Sequence, residues 1–439
     1  MNADPRPGLV SPVSAEVISV AAQLREMETL PAERRDAVLN RQLAALLDHA
    51  WTHSPFWRDR LPPRTDMLNF EDLPVLSRAD LRDHAAEMRS AHVTGGVRVA
   101  RTSGSTGMPV EIVNNEPLFG ILFAAQYLRH HAWHGFDADR DILSIVDTDE
   151  GVQEAGWSHT LAELCQTGRR FRRNMARHSP EALLAWLLDQ TAPYLITTAS
   201  MALRLARLAL DGPRRPPRLE AILTFGEVVR DEHRDAVRQA FGARIVDSYS
   251  CEEAGWLAFQ CPRHAHYHSL SSTVHVEIVD DDNRPVRAGE EGKVLVTALH
   301  NYAMPLIRYD IGDRAVAGAP CDCGLTLPVI GEILGRERSF IVLPDGSRRL
   351  ARLTGEYWRT IAPVTEYRVV QYPDTGLEAF VCADRPLAAG EVAGLADMLR
   401  RVLHPGLDIR VTQIDSIPWE SRWKRIDVVR TDRPREDRP

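Results

Sequence analysis

Apolar residues change their spacing along this chain, and each change predicts a different kind of element. Leu39, Leu43, Leu46, Leu47 and Ala50 recur three or four positions apart, the mark of a helix with one apolar face. Pro31 suits the first turn of that helix. Residues 1–14 ahead of it are polar and proline-containing, and are expected to be disordered. His53-Ser54-Pro55-Phe56-Trp57-Arg58 reads as a break followed by an aromatic anchor. Residues 73–81 read as a short extended piece in which Ser77 caps a further helix.

From residue 116 the pattern alternates. A helical run over 117–134 precedes an apolar strand at 141–146. Helices near 180–190, 201–210 and 231–241 precede the apolar runs 194–198, 221–225 and 244–249. Short apolar strands separated by helices predict an α/β core with parallel pairing. After residue 270 the period changes to two. Residues 274–279 and 293–297 alternate like β-strands around a turn-rich stretch at 280–292, which predicts an antiparallel β subdomain. About 100 further residues read as α+β, a normal domain size. The expected architecture is a large α/β domain with a β subdomain over 1–335, then a small mobile α+β domain over 336–439.

Charge and cysteine usage exclude several classes. The 439 residues carry a formal net charge of −8, so no basic excess is available to pair nucleic-acid phosphates. No apolar run approaches membrane-spanning length. The N-terminus has no secretory apolar segment, and six cysteines in so long a chain do not make a disulfide framework. A reduced, cytoplasmic protein is expected.

The chemistry starts at Arg101-Thr102-Ser103-Gly104-Ser105-Thr106-Gly107-Met108-Pro109-Val110. Backbone N–H groups and hydroxyls in such a loop can cradle phosphate oxygens. It is not a Walker loop, because Met108 and Pro109 stand where that motif needs lysine and a hydroxyl residue. Alone, it would read as a surface turn. Ligands of parallel sheets bind at the carboxyl ends of strands. Gly226-Glu227 and Tyr249-Ser250-Cys251-Glu252-Glu253 fall there.

Together with later stretches these motifs resemble the adenylate-forming ligase superfamily, nearest its phenylacetate–CoA ligase group and that group's capsule-biosynthesis relatives. Five stretches carry the likeness. Residues 46–60 with 74–81 are similar to that group's N-terminal section. Residues 101–109 resemble the phosphate loop. Residues 249–253 resemble Tyr-Gly-x-Thr-Glu, with Ser250 for Gly and Glu252 for Thr. Arg308-Tyr309-Asp310-Ile311-Gly312-Asp313 resembles Arg-Tyr-x-x-Gly-Asp. Residues 418–424 resemble the terminal Pro-x4-Gly-Lys, with Trp423 in place of glycine.

The resemblance implies that a carboxylic acid reacts with ATP to give an acyl-adenylate and pyrophosphate, and that the acyl group then passes to CoA. It implies a phosphate cradle at Thr102, Ser103, Gly104, Ser105, Thr106 and Gly107. Tyr249 and Ser250 with Gly226 and Glu227 would form the adenine slot. Glu253 would ligate Mg²⁺, with Glu252 as rival. Asp313 would accept hydrogen bonds from ribose hydroxyls. Arg308 would sit near phosphate or brace the hinge, or else form a structural ion pair with Asp313. Lys424 would bridge the carboxylate and α-phosphate oxygens, and Arg336 and Arg338 would lie at the hinge between domains. An acid pocket, suited to an aromatic acid, is placed at Tyr127, Trp133, Trp157, Ser200 and Phe225, all of which are also ordinary core types. The implied partners are a small carboxylic acid and CoA, or an amine or carrier-protein thiol in place of CoA, with a homodimer among the expectations. A nucleotide-binding relative without turnover is the alternative that is not an enzyme. Cysteines form a separate set. Cys261, His268, Cys321 and Cys323 could hold a structural Zn²⁺, with His264 and His266 as rival ligands. The alternative is three reduced thiols.

Overall fold

A computed structural model describes residues 9–62, 69–93, 95–101, 110–214, 218–351, 353, 355–419 and 427–432. The chain divides into two compact units, Met1–Ile333 and Leu334–Pro439.

The first unit opens with helices. Pro12–Met27 is capped by Ser11, whose side chain accepts from the Ser14 N–H. The disorder expected over 1–14 is therefore corrected at residues 11–14: Ser-Pro is a helix start, with proline at N1 where a missing N–H costs nothing. Glu163 anchors this start by accepting from both the N–H and the hydroxyl of Ser11. Ala32–His53 buries Leu43, Leu46, Leu47 and Ala50 along the predicted face. Trp57, next in the chain, is fully buried and donates to the Pro305 carbonyl at 2.9 Å.

Twelve strands form one continuous sheet. Its parallel half places Arg170–Asn174, Ile142–Val146, Tyr194–Thr197, Ala221–Phe225 and Arg244–Cys251 side by side, with Gly151–Gln153 antiparallel at the edge. The hairpin from Arg244–Cys251 to Gly255–Gln260 turns the sheet antiparallel. Tyr267–Ser269, Val329–Arg336, Tyr309–Ala317, Glu291–Ala298 and Val274–Val279 follow in that order. The predicted β subdomain thus shares its hydrogen-bond ladder with the α/β core. A separate two-stranded ribbon pairs Gly96–Arg101 with Glu111–Glu116. Residues 102–109, the expected phosphate cradle, connect these two strands and lie outside the described residues.

Helix Leu118–His134 lies over one face of the sheet. Its His130 ring is 4.5 Å from that of Phe259, and its His131 ring stands between Tyr127, at 3.9 Å, and Trp157, at 4.8 Å. Burial pushes His131 down to about 3 and His134 to about 4, and His130 well below the ordinary value. These rings are neutral in the folded state, whereas in the unfolded chain they titrate near 6.5. The stability they contribute is present above pH 6.5 and is lost as pH falls toward 4. Melting temperature is expected to fall steeply over that window, and less steeply in His131→Phe, which keeps a ring but binds no proton. Parallel curves for the two proteins would contradict this.

The second unit is α+β. A four-stranded sheet runs in the order Ile409–Gln413, Leu377–Ala383, Val364–Gln371, Val428–Arg430. Leu395 and Leu399 of helix Ala389–Val402 join Val369, Ala379, Val381 and Trp358 in its core.

Candidate active site

Strand Arg244–Cys251 delivers Tyr249, and the turn after it delivers Glu253. Strand Tyr309–Ala317 delivers Tyr309 and Asp313. Three strands separate the two in the sheet order. In a flat sheet, four inter-strand steps would hold them about 19 Å apart. Yet the Tyr249 hydroxyl donates to Asp313 Oδ2 at 2.7 Å, and the Tyr309 hydroxyl donates to Glu253 Oε1 at 3.2 Å. The antiparallel half therefore coils back over the turn. Glu253 is only 7% exposed, and Tyr309 and Asp313 are buried as well. Arg78 lies 3.5 Å from Glu253 and supplies the countercharge. Its position is fixed by the helix start behind it, where Ser77 and Asp80 form a reciprocal capping box. Arg78 is the site residue that reading the chain missed. The signal was present, since the capping serine precedes it directly.

Gly226 follows strand Ala221–Phe225 at φ +74°, a conformation that glycine adopts without strain. Glu227 beside it accepts from the Ser200 N–H at 2.7 Å and the Ser200 hydroxyl at 3.0 Å. Its carboxylate thus caps helix Ala199–Asp211 together with Thr198, where negative charge is favoured.

Arg308 differs from expectation. Its Nε and Nη2 meet Glu277, its Nη1 donates to the Glu71 and Leu73 carbonyls, and its Nη2 also donates to the Asn283 carbonyl. An arginine has five N–H donors, and all five are matched at 1% exposure. The placement near phosphate is corrected, because Arg308 ties residues 71–73 to the sheet. Its ion-pair partner is Glu277, not Asp313.

The five expected pocket residues are each held in packing or hydrogen bonds. Trp157 is a core residue at 2% exposure, with its Nε1 donating to the Arg140 carbonyl at 2.6 Å. Tyr127 accepts from Arg170 at 3.0 Å. Trp133 packs edge-on against Phe259 and His268, with ring centroids 5.8 and 6.0 Å away. Ser200 is engaged by Glu227, and Phe225 ends its strand. Trp423 and Lys424 lie outside the described residues.

The cysteine set comes together from two loops. The Sγ atoms of Cys261 and Cys321 are 3.8 Å apart, and Cys323 Sγ is 3.3 Å from His268 Nε2. All four ligand atoms lie within 4.8 Å of one another. Tetrahedral zinc with bonds of about 2.3 Å to sulfur spaces two thiolates about 3.8 Å apart. His268 Nδ1 is 3.3 Å from the Leu327 carbonyl, which can only accept, so Nε2 is the nitrogen turned to the sulfurs. Backbone N–H groups of Arg263, Cys323 and Leu325 donate to these sulfurs. His264 forms an alternative exposed set with Cys321 and Asp322, and His266 belongs to neither set among the described residues.

No protein-family model matches the chain. It is 25% identical over 338 residues to a phenylacetate–coenzyme A ligase of Thermus thermophilus, covering 72% of this chain and 74% of that protein. The chain is thus similar in sequence, over most of its length, to a phenylacetate–coenzyme A ligase. The fold agrees with solved acyl-CoA ligase structures. A 2-hydroxyisobutyryl-CoA ligase in the postadenylation state aligns at a TM-score of 0.72 and 20% identity, over 93% of this chain and 92% of that one. An anthranilate–CoA ligase bound to anthranoyl-AMP aligns at 0.53 and 15% identity, over 75% and 65%. In this chain Tyr249 and Asp313 stand on two strands that the coiled sheet brings face to face, with Glu253 on the turn after the first. Among the described residues, no helix is long and apolar enough to cross a membrane.

Proposed function

We propose that the protein is an AMP-forming ligase that activates a small carboxylic acid with MgATP and passes the acyl group to the thiol of coenzyme A. The Tyr249–Asp313 hydrogen bond beside buried Glu253 carries the reading, because it joins motifs 64 positions apart around one site. The Tyr249 ring offers a face for adenine, and the Asp313 carboxylate is placed to accept from ribose hydroxyls. Glu253 would hold Mg²⁺, a hard cation that shields phosphate charge when bound. Arg78 balances Glu253 before metal and nucleotide arrive. Residues 102–107 complete the phosphate cradle in this reading, and Lys424 meets the reacting oxygens. Similarity to a phenylacetate–CoA ligase supports CoA as the acceptor and a small, aromatic acid as the substrate.

The test is a product analysis with MgATP, CoA and a broad acid panel. AMP and an acyl-CoA thioester are expected for at least one acid. Acid-dependent pyrophosphate without thioester, restored by an amine, would move the acceptor from CoA to nitrogen.

One site arrangement cannot serve both half-reactions, since Lys424 must meet the phosphates in the first and the thiol must approach the same carbon in the second. We place the pivot at residues 335–339, which include Arg336 and Arg338. Proline fixes φ near −65°. Arg338→Pro is expected to spare pyrophosphate release and to block thioester formation. Loss of both half-reactions, or retention of both, would remove the pivot from this segment.

Cys261, His268, Cys321 and Cys323 are proposed to hold one structural zinc. Four filled positions leave no open site for catalysis. Metal analysis should find about one zinc per chain. Cys321→Ser with Cys323→Ser should lose it and lower the melting temperature by roughly 5 °C or more, while the KM for ATP stays nearly constant. Metal-free protein of equal stability would sink the assignment.

A further inference from the structure

The segment Cys261-Pro262-Arg263-His264-Ala265-His266-Tyr267-His268 carries three histidines at alternate positions, and the buried cysteine set uses the last of them. The hairpin that returns from strand Gly255–Gln260 to strand Tyr267–Ser269 holds them in a row, with the Cys261 N–H donating to the His266 carbonyl at 2.8 Å. The His264 ring is stacked on that of His266 at 5.1 Å, and the His266 ring stands edge-on to that of His268 at 5.4 Å. Burial rises along the row. His264 is exposed, His266 is half-buried and His268 is fully buried. His266 Nε2 is sealed from solvent and meets no hydrogen-bond partner among the described residues.

The outer end of the row has donors of its own. His264 Nε2 is 2.7 Å from Asp322 Oδ1, and Cys321 Sγ is 4.0 Å from the same oxygen. One ligand atom each from His264, Cys321 and Asp322 lies within 4.8 Å of the other two. Arg263 ties the two loops together, its Nη1 donating to the Asp322 carbonyl at 3.3 Å. Imidazole, thiolate and carboxylate are all zinc ligands. Cys321 belongs to this set and to the buried one alike. It stands at the boundary, half-buried, between Asp322, whose side chain is 82% exposed, and Cys261, which is 1% exposed. Three protein ligands leave one tetrahedral position for water, so a metal held here exchanges with solvent, whereas the four ligands below leave none. A buried metal site needs an entry path.

We propose that His264, Cys321 and Asp322 form an outer zinc site through which the buried Cys261–His268–Cys321–Cys323 site is loaded and emptied. The proposal rests on the zinc reading above. The ion arrives hydrated and trades waters for His264, Asp322 and the shared Cys321 thiolate. It then trades His264 and Asp322 for Cys261, Cys323 and His268 while Cys321 stays bound. The thiol protons are released to water as the thiolates bind. Removing an outer ligand removes an intermediate on this path. Loading and release then slow by the same factor, and the affinity of the buried site is unchanged.

The test follows metal on the full chain, in wild type, His264→Ala and Asp322→Asn, and needs no turnover. Both substituted side chains are exposed, so folding tolerates their loss. Zinc-loaded protein is mixed with excess pyridylazoresorcinol, a chromogenic chelator, and metal-free protein is mixed with zinc. Both rates are read by stopped flow. Both variants are expected to hold about one zinc per chain and to melt with wild type. They should release and take up that zinc more slowly by about tenfold or more, the scale on which a lost partner alters a metal site. Rates equal to or above those of wild type in both variants would overturn the proposal and leave His264–Asp322 as a surface ion pair. Loss of the tightly bound zinc in His264→Ala would overturn it too, because His264 would then be a ligand of the permanent site. Wild type that takes up no zinc would overturn the structural zinc reading itself, and the entry site with it.

Discussion

Glu253→Gln is expected to lower acid-dependent pyrophosphate release by about 10²–10³-fold, in the range seen when one electrostatic group is removed from a catalytic site. The substitution is nearly isosteric. The amide oxygen can still accept from the Tyr309 hydroxyl, so the contact at 3.2 Å survives. The negative charge is lost, and with it the metal ligand and the countercharge to Arg78 at 3.5 Å. Folding should be little affected, because Arg78 is partly exposed and water can take over its solvation. An interaction that matters in the transition state lowers kcat and kcat/KM together. If instead only the KM for ATP rises, Glu253 helps to bind nucleotide and nothing more.

Lys424→Ala is expected to be as severe for adenylation, with a loss of about 10²–10³-fold. The residue lies outside the described part of the structure, and its assignment comes from its place at the end of the 418–424 motif. The two half-reactions separate its role from a loss of folding. ATP affinity should stay within about threefold of wild type, since the lysine acts on charge that develops during the reaction. Thioester formation from a preformed acyl-adenylate and CoA should persist. A variant with wild-type pyrophosphate release would make Lys424 a solvated surface residue. A variant dead in both half-reactions would point to structural damage.

Much of the fold was legible because long apolar periodicities are strong signals. The helix expected over 117–134 is Leu118–His134, and the apolar runs near 142, 194, 221 and 244 are strands of one sheet. Arg170–Asn174 escaped because it reads Arg-Phe-Arg-Arg-Asn, with one apolar residue in five. Its place between two strands is set by backbone pairing, with Arg169 salt-bridged to Asp141 outside it. Helix Pro12–Met27 escaped because its anchor, Glu163, lies far along the chain.

The site was legible in its residues more than in their partners. Tyr249, Glu253 and Asp313 could be named from local motifs, and the coiled sheet brings them to one place. Nothing local indicates which carboxylate meets Arg308. Glu277 is chosen by a register two strands away, between Val274–Val279 and Glu291–Ala298 and on to Tyr309–Ala317. Nor does anything local indicate that Glu227 caps Ser200. The aromatic residues misled for a physical reason. Trp157 and Trp133 are large apolar side chains near strand ends, and composition alone cannot separate a pocket wall from a core.

ATP–pyrophosphate exchange over a broad acid panel tests the central claim most directly. Radiolabelled pyrophosphate should enter ATP only when a carboxylic acid and Mg²⁺ are present, and the Glu253→Gln protein should lose that exchange while it still folds. Exchange that needs no acid, or a wild-type protein that binds ATP and exchanges with no acid in the panel, would contradict the assignment of this site to acid activation.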